Sequence, residues 1–339
     1  MSMKITILGA GPGGYVAAIR AAQLGADVTL IEADEVGGTC LNWGCIPSKV
    51  LINTSNLLEK YHQAKSYGLS LDGSIKIDLA ALMNRKETVV QGQIKGIYGL
   101  LKRHNIQHYA GLGAIEKPGS VLITSAESQG TAVEYDRLIL ATGTQHLNLP
   151  AFPFDGKRII SSNHALNLDA VPESVLILGG GVIGCEFAFI LSSMGAEVTV
   201  VEAMPRLLPL PSVDADCTKV LQREMKKRRI KFLVNRTVAE YSVSGDQLKA
   251  TIGPSPFLEN PSEKEKTPES VTVSKILVCI GRQPNSRDIG LEKIGIQTDE
   301  KGWIPTDDSM RTHTKNVFAV GDILGPSKIM LAHVASAEG

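Results

Sequence analysis

Two glycine-rich turns constrain this chain more than any other feature. Lys4-Ile5-Thr6-Ile7-Leu8 reads as a short buried strand that runs into Gly9-Ala10-Gly11-Pro12-Gly13-Gly14 and then an apolar helical stretch over residues 15–24. Gly25 ends that helix, residues 26–31 read as the next strand, and Glu32 stands at its end. The series returns later as a strand over 174–178, the turn Gly179-Gly180-Gly181-Val182-Ile183-Gly184, a helix over 185–194, a strand over 196–201, and Glu202. The acid follows the last glycine at the same distance in both copies. In such a turn the first glycine bends the chain tightly, the second lets backbone approach a pyrophosphate, and the third lets helix pack close to strand. Free N–H groups at the helix N-terminus meet the phosphate charge, and the later acid accepts from ribose hydroxyls. One such match is a weak signal, and an ordinary α/β sheet with glycine turns is the alternative. Two copies, each set between strand and helix and each closed by an acid, favour two dinucleotide sites.

The length agrees, since 339 residues correspond to about two domains of ~150 residues. Lys and Arg number 35 and so do Asp and Glu, so no net field gathers nucleic acid or an anionic membrane surface. Aromatic residues make up only 5 %, too few for a base-stacking platform. No apolar run approaches the ~20 residues that span a bilayer, and the first residues carry no secretory or transit pattern. These features lead us to expect no nucleic acid partner, no membrane, and a cytoplasmic, more bacterial than organellar, location. Between the two copies, residues 49–108 read as largely helical and 121–140 as strands with a polar turn at 125–131. Residues 147–153, with Pro150 and Pro153, read as a crossover. Residues 214–229 read as a helix and 230–273 as alternating strands. Their tip at 253–269 holds four prolines and many charges, which predicts an exposed mobile loop.

The segment Gly37-Gly38-Thr39-Cys40-Leu41-Asn42-Trp43-Gly44-Cys45-Ile46-Pro47-Ser48-Lys49 is the most informative one. Two cysteines at this spacing can close a small redox disulfide. Pro47 suits the start of a helix, which puts Cys45 at its positive end and favours a thiolate. A structural zinc site needs four ligands, and only His62 is near in sequence, so no metal is expected. Two unreactive thiols remain the bland alternative. Cys185, Cys217 and Cys279 fall in helix or strand patterns and read as packing residues.

At this point the chain resembles the flavin-dependent pyridine nucleotide–disulfide oxidoreductases and, within them, the dihydrolipoamide dehydrogenase (E3) type. The segment from Gly37 to Lys49 carries most of the resemblance. Ala141-Thr142-Gly143-Thr144, Ile280-Gly281-Arg282-Gln283-Pro284-Asn285 and Ala319-Val320-Gly321-Asp322 add to it, and it runs from about Lys4 to Gly339. Leu41, Ile46-Pro47-Ser48 and Glu202 lean toward the lipoamide enzymes rather than glutathione or mercuric reductases. The resemblance implies an α/β fold of two doubly wound Rossmann-like domains, one inserted in the other. An FAD-binding domain would be built from residues 1–148 and 274–339, and an NAD-binding domain from 149–273. It implies that Gly9, Gly11, Gly14, Glu32, Thr39, Lys49, Gly113, Thr142, Gly143, Asp322 and Ala332 hold FAD, with Asp322 on the ribityl chain. Gly179, Gly181, Gly184, Glu202, Val238 and Gly281 would form the NAD site. Arg206 lies close enough to Glu202 in sequence to leave NADP in play. Cys40 would exchange with the thiol substrate, Cys45 would lie against the flavin, and Lys49 would pair with Glu186. Without the flanking motifs, Lys49 and Glu186 would read as an ordinary surface lysine and helix acid.

The implied reaction carries electrons from dihydrolipoamide through the Cys40–Cys45 disulfide and FAD to NAD⁺. Implied partners are the lipoyl domain of a 2-oxo acid dehydrogenase or glycine cleavage complex, and a second copy in a homodimer. Family members continue into a C-terminal interface domain with a His-Pro-Thr-x-x-Glu segment that supplies the acid–base histidine. None of the seven histidines here sits in such a segment, so the chain as written is expected to be poor at the lipoamide step. Other readings are a glutathione- or mercuric-type reductase, an NADH diaphorase, and a non-catalytic docking module that binds nucleotides.

Overall fold

The computed structural model describes residues 2–70, 72–125 and 128–339. In its first part, the apolar run Lys4–Leu8 pairs in parallel with Asp27–Glu32 on one side and Arg137–Leu140 on the other. Gln107–Ala110 and Val317–Ala319 complete the sheet, in the order 317–319, 137–140, 4–8, 27–32, 107–110. Neighbouring parallel strands of this kind need crossover connections, and helices supply them. The helix Pro12–Gln23 buries Gly13, Gly14, Ala17 and Ala18, small residues that let it lie close to the sheet. Val90, Ile94, Ile97 and Leu101, spaced at about one helical turn along Leu79–Arg103, join the same apolar cluster as Ile7 and Leu30. A three-stranded antiparallel sheet, Leu112–Lys117, Ser120–Ser125 and Ser128–Glu134, packs Ile115, Val121 and Ile123 with Leu138 and Leu140. Of the polar turn expected at 125–131, residues 126 and 127 lie outside the described residues.

The second copy builds a second five-stranded parallel sheet, in the order 231–233, 197–201, 174–178, 275–278, 159–160. Its crossover helix Val182–Ser193 is apolar nearly all round and correspondingly buried. An antiparallel meander, Arg236–Ser244, Gln247–Pro254 and Glu269–Val273, follows. The helix Ala215–Lys227 starts where the Asp214 carboxylate accepts from the Asp216 N–H.

The contacts divide the chain into two compact units. One comprises Met1–Pro47, Glu87–Gln145 and Arg282–Gly339, the other Ser48–Lys86 and His146–Gly281. Residues 48–86 group with the second unit because Leu51 and Leu82 share an apolar cluster with Val175, Ile177 and Phe187. The tip at 253–269 is largely exposed, as its prolines and charges suggest. It contains a helical turn, Glu263–Lys266, closed by a Ser262–Glu265 capping box. The buried Arg236 donates to the carbonyls of Glu265 and Thr267, and Asn235 donates to the Glu265 carboxylate. Side-chain donors at the start of the strand Arg236–Ser244 thus meet carbonyls of a segment whose composition alone reads as loose.

Candidate functional site

The two glycine turns share one geometry. Gly9 and Gly179 have φ of +98° and +99°, and a Cβ on either would sit 2.3 Å from a carbonyl oxygen, that of Ala141 or Cys279. A Cβ on Gly14 would lie 1.8 Å from the Gly9 oxygen, and one on Gly184 2.0 Å from the Gly179 oxygen. These four glycines are demanded by the fold. The middle ones are not. Gly11 and Gly181 sit at φ −68° and −74°, conformations open to any residue. A Cβ on Gly11 would meet nothing closer than 3.9 Å, and one on Gly181 nothing within 4 Å. Space kept clear over the N-terminus of a 12-residue helix in each unit fits a phosphate-bearing ligand.

Both acids turn back on their own turns. Glu32 accepts from the Ala10 N–H at 2.6 Å and the Asp34 N–H at 2.9 Å. Glu202 accepts from Gly180 at 2.6 Å and Met204 at 2.8 Å. Burial pushes the Glu32 carboxyl up from the ordinary glutamate value, and these amides pull part of that back. Each carboxylate oxygen has a second lone pair, so holding the turn leaves acceptor capacity for a ribose.

In the first unit the chain continues from Glu32 into the cysteine segment. The Gly37 N–H donates to the Ala10 carbonyl at 2.8 Å. Asn42 Nδ2 donates toward three carbonyls, those of Val36 at 3.0 Å, Gly38 at 3.1 Å and Glu35 at 3.4 Å. Glu35 Oε1 accepts from the Tyr98 hydroxyl at 3.0 Å. Burial and then the Glu35 carboxylate push that hydroxyl to about 12. Cys40 lies half-buried in the π-helical turn Thr39–Trp43, and Cys45, exposed, is the first residue of the helix Cys45–Gln63. The helix thus starts two residues before Pro47. Its first-turn N–H groups have no intrahelical acceptors, so proline in that turn removes no bond. Cys45 at a helix N-terminus is in a position that stabilises thiolate.

Further residues of the first unit converge on the 142–144 loop. Thr142 donates its hydroxyl to the Asn285 carbonyl at 2.8 Å, and Asn285 Nδ2 donates to the Thr142 carbonyl at 2.9 Å. Gly143, at φ +64°, leaves open space where a Cβ would stand. Asp322 is reached by the Thr144 hydroxyl at 3.4 Å. Burial raises the Asp322 carboxyl, and Arg282 and Thr144 counteract this in part. Gly113 has a packing reason of its own, since a Cβ there would lie 2.6 Å from Leu8 Cδ2. Ala332 opens the helix Ala332–Glu338.

In the second unit Lys49 Nζ lies 2.8 Å from Glu186 Oε1, with both side chains partly in solvent. Such a pair adds little stability, typically about 0–1 kcal/mol, so stability is a poor reason for it. Arg206 does not face outward as a free cation. It donates to the Thr218 hydroxyl and to the carbonyls of Leu210 and Val213 at 2.9–3.0 Å. Gly281, at φ +135°, has open space on its Cβ side. Val238 is 5 % exposed within an apolar cluster, so any ligand contact it makes goes through its backbone. The roles of Asn42 and Arg282 were not visible in the sequence, because each depends on partners brought together by folding. Among the described residues no group of His, Cys, Asp and Glu is arranged to hold a metal ion, and no helix is long and apolar enough to cross a membrane.

Residues 3–339 match the family described as pyridine nucleotide-disulphide oxidoreductase. A dihydrolipoyl dehydrogenase of Chlamydia muridarum is 39 % identical over 335 residues, covering 98 % of this chain and 68 % of that protein. The mitochondrial dihydrolipoyl dehydrogenase of Pisum sativum is 38 % identical over 341 residues, covering 99 % of this chain and 65 % of that one. The chain therefore spans about two thirds of the length of these relatives. Among solved structures, LpdA from Mycobacterium tuberculosis superimposes with a TM-score of 0.87 at 30 % identity, covering 99 % of this chain and 70 % of that one.

Proposed function

This chain belongs to the pyridine nucleotide-disulphide oxidoreductase family, and from that premise we propose that it moves electrons between a dihydrolipoyl dithiol and NAD⁺ through Cys40 and Cys45. It is an oxidoreductase of the dihydrolipoyl dehydrogenase type, a flavoprotein whose cofactors are FAD and NAD. The observation that carries the assignment of roles is the cysteine segment, folded on itself by Asn42 and clamped to the first glycine turn by the Gly37 N–H on the Ala10 carbonyl. That clamp ties a thiol pair to a nucleotide-binding loop.

FAD, when bound, supplies the two-electron relay between the cysteine pair and NAD. Gly9, Gly11, Gly14, Glu32, Thr39, Lys49, Gly113, Thr142, Gly143, Asp322 and Ala332 are the residues assigned to hold it. Gly179, Gly181, Gly184, Glu202, Val238 and Gly281 are assigned to NAD. The thiol half of the reaction belongs to the chain. A substrate thiolate attacks Cys40 Sγ of the oxidised pair, the S–S bond breaks, and Cys45 leaves as a thiolate favoured by its helix N-terminus. The second substrate thiol, on losing its proton, displaces Cys40 and closes the substrate disulfide. Two electrons then rest on the cysteine pair, and two protons have left the substrate thiols. Lys49, held by Glu186, keeps a cation one helical turn after Cys45. Glu202 disfavours a 2′-phosphate, and Arg206, committed to its own loop, is not free to attract one, which selects NAD over NADP. The partner that fits is a lipoyl-bearing component of a 2-oxo acid dehydrogenase complex, acting on a homodimer in the cytoplasm.

The test is an absorption spectrum of the purified protein before and after anaerobic NADH. Flavin bands that bleach with a long-wavelength shoulder, and a Cys45→Ser variant that bleaches without the shoulder, are the expected result. A protein that stays colourless after added FAD, or a Cys45→Ser variant with the shoulder unchanged, overturns the reading.

A further inference from the structure

Arg282 is a half-buried cation that the assignments to the cofactors leave without a role. Arg282 opens the strand Arg282–Pro284 in the first unit. Its Nε donates to the Thr144 hydroxyl at 2.6 Å, and its Nη2 donates to the Thr144 carbonyl at 2.7 Å and toward the Thr39 hydroxyl at 3.4 Å. The Thr144 hydroxyl passes the link on to Asp322 Oδ2. Among the described residues no carboxylate lies within ion-pair distance of the guanidinium, and Asp322 is reached only through the threonine. Burial holds the Arg282 guanidinium below the ordinary arginine value, and the Asp322 charge restores part of the loss. Partly burying two opposite charges without joining them directly carries a desolvation cost that a close pair would offset. Stability therefore does not explain the arrangement. It does make sense if Asp322 must keep its outer lone pairs for a polar ligand while a fixed cation stands behind it.

We propose that Arg282 is a positioning residue of the FAD site, which holds Thr39 and Thr144 in one network and keeps Asp322 charged and oriented for the cofactor. The inference rests on the assignment of Asp322 and Thr39 to FAD made above. Arg282 suits the task because its planar fork engages Thr144 twice and still reaches Thr39, the residue just before Cys40. A lysine has the charge but not the fork. The groups facing Asp322 are few. Arg282 opens the short strand Arg282–Pro284 and Thr144 opens the short strand Thr144–His146. From the helix Ala332–Glu338, Glu338 is turned onto the Gly321 N–H at 2.7 Å and His333 is exposed.

The experiment is FAD titration of the flavin-stripped protein, followed by fluorescence quenching from acidic to neutral pH, for the wild type, Arg282→Met and Arg282→Lys. Arg282→Met is expected to weaken FAD binding at neutral pH by about tenfold or more. The pH below which binding fails should also rise, because Asp322 without its cation keeps a proton longer. Arg282→Lys should leave that pH near the wild-type position while binding less tightly. If Arg282→Met does not fold by circular dichroism, Thr144→Val cuts the same link and should move the profile in the same direction. Wild-type affinity with an unmoved profile in Arg282→Met, or in Thr144→Val where Arg282→Met does not fold, overturns the proposal. Equal weakening by Arg282→Met and Arg282→Lys with no shift in profile also overturns it, since a purely structural arginine behaves that way. A wild-type protein that binds no FAD at any pH removes the cofactor assignment and this proposal together; failure of the variants alone removes only this one.

Discussion

The two glycine turns are built alike and lead to different ends. Each has two sterically compelled glycines, one glycine facing open space, and an acid folded back on the turn's second amide. What differs is the loop after the acid. After Glu32 the chain is tied to the first turn by the Gly37 N–H, is closed on its own carbonyls by the Asn42 amide, and presents two cysteines. After Glu202 it is tied by Arg206 to its own carbonyls, and the Leu208 N–H donates to the Gly180 carbonyl at 2.8 Å. The first loop presents two thiols and the second is closed on its own backbone carbonyls. One strand–turn–helix frame thus carries two different loops after its acid.

The largest effect comes from breaking the frame itself. Gly184→Ala forces a Cβ to within 2.0 Å of a backbone oxygen and is expected to cost about 3 kcal/mol or more. Gly181→Ala meets no protein atom and should leave the melting temperature near wild type while weakening NADH binding. Melting curves and NADH titrations of the pair separate the two requirements. A Gly181→Ala protein that binds NADH normally would mean that the open space is not a ligand site.

A smaller effect tests the loops. Asn42→Ala removes a donor shared among three carbonyls, a loss of about 1–2 kcal/mol. It should slow thiol exchange at the cysteine pair, read by dithiol-dependent reduction, while leaving NADH affinity unchanged. Arg206→Met should do the reverse, raising the KM for NADH and sparing thiol exchange. If both variants change the same parameter, the division of labour between the loops is wrong.

The smallest effect is a pH slope. The Glu32 carboxyl is raised by burial, so just above the ordinary glutamate value the folded chain holds a proton that the unfolded chain has lost. Unfolding then releases that proton, and this contribution to stability, full at low pH, fades as pH rises through the folded value. Glu32→Gln should flatten that stretch of the stability–pH curve by at most one proton's slope. Chemical denaturation at a series of pH values reads it, and an unchanged slope would place the raised group elsewhere.

The parallel strands, the crossover helices and the glycine–acid series were legible in the sequence because each is a local or periodic pattern. The Cys40–Cys45 segment was legible for the same reason, its residues being neighbours in the chain. The Lys49–Glu186 pairing was foreseen only through resemblance, since nothing local joins residues so far apart. The start of the redox helix at Cys45 rather than near Pro47 was missed, because helix ends are set by which N–H groups go without partners. At the charged tip 253–269 the exposure was legible from composition, while the helical turn and its contacts with Arg236 were not, because Arg236 lies in another strand.

The sequence by itself therefore determined the repeating strand–turn–helix frame, its two acids and the placement of two thiols near a helix start, all consequences of spacing along one chain. Only the tertiary structure decided that 48–86 pack with the second unit, that Arg206 is spent on its own loop, and that Arg282 backs Asp322 through Thr144. Those are choices among many possible long-range partners for the same apolar faces and hydrogen-bond donors. They are settled by which groups folding buries together, and no spacing along the chain records that.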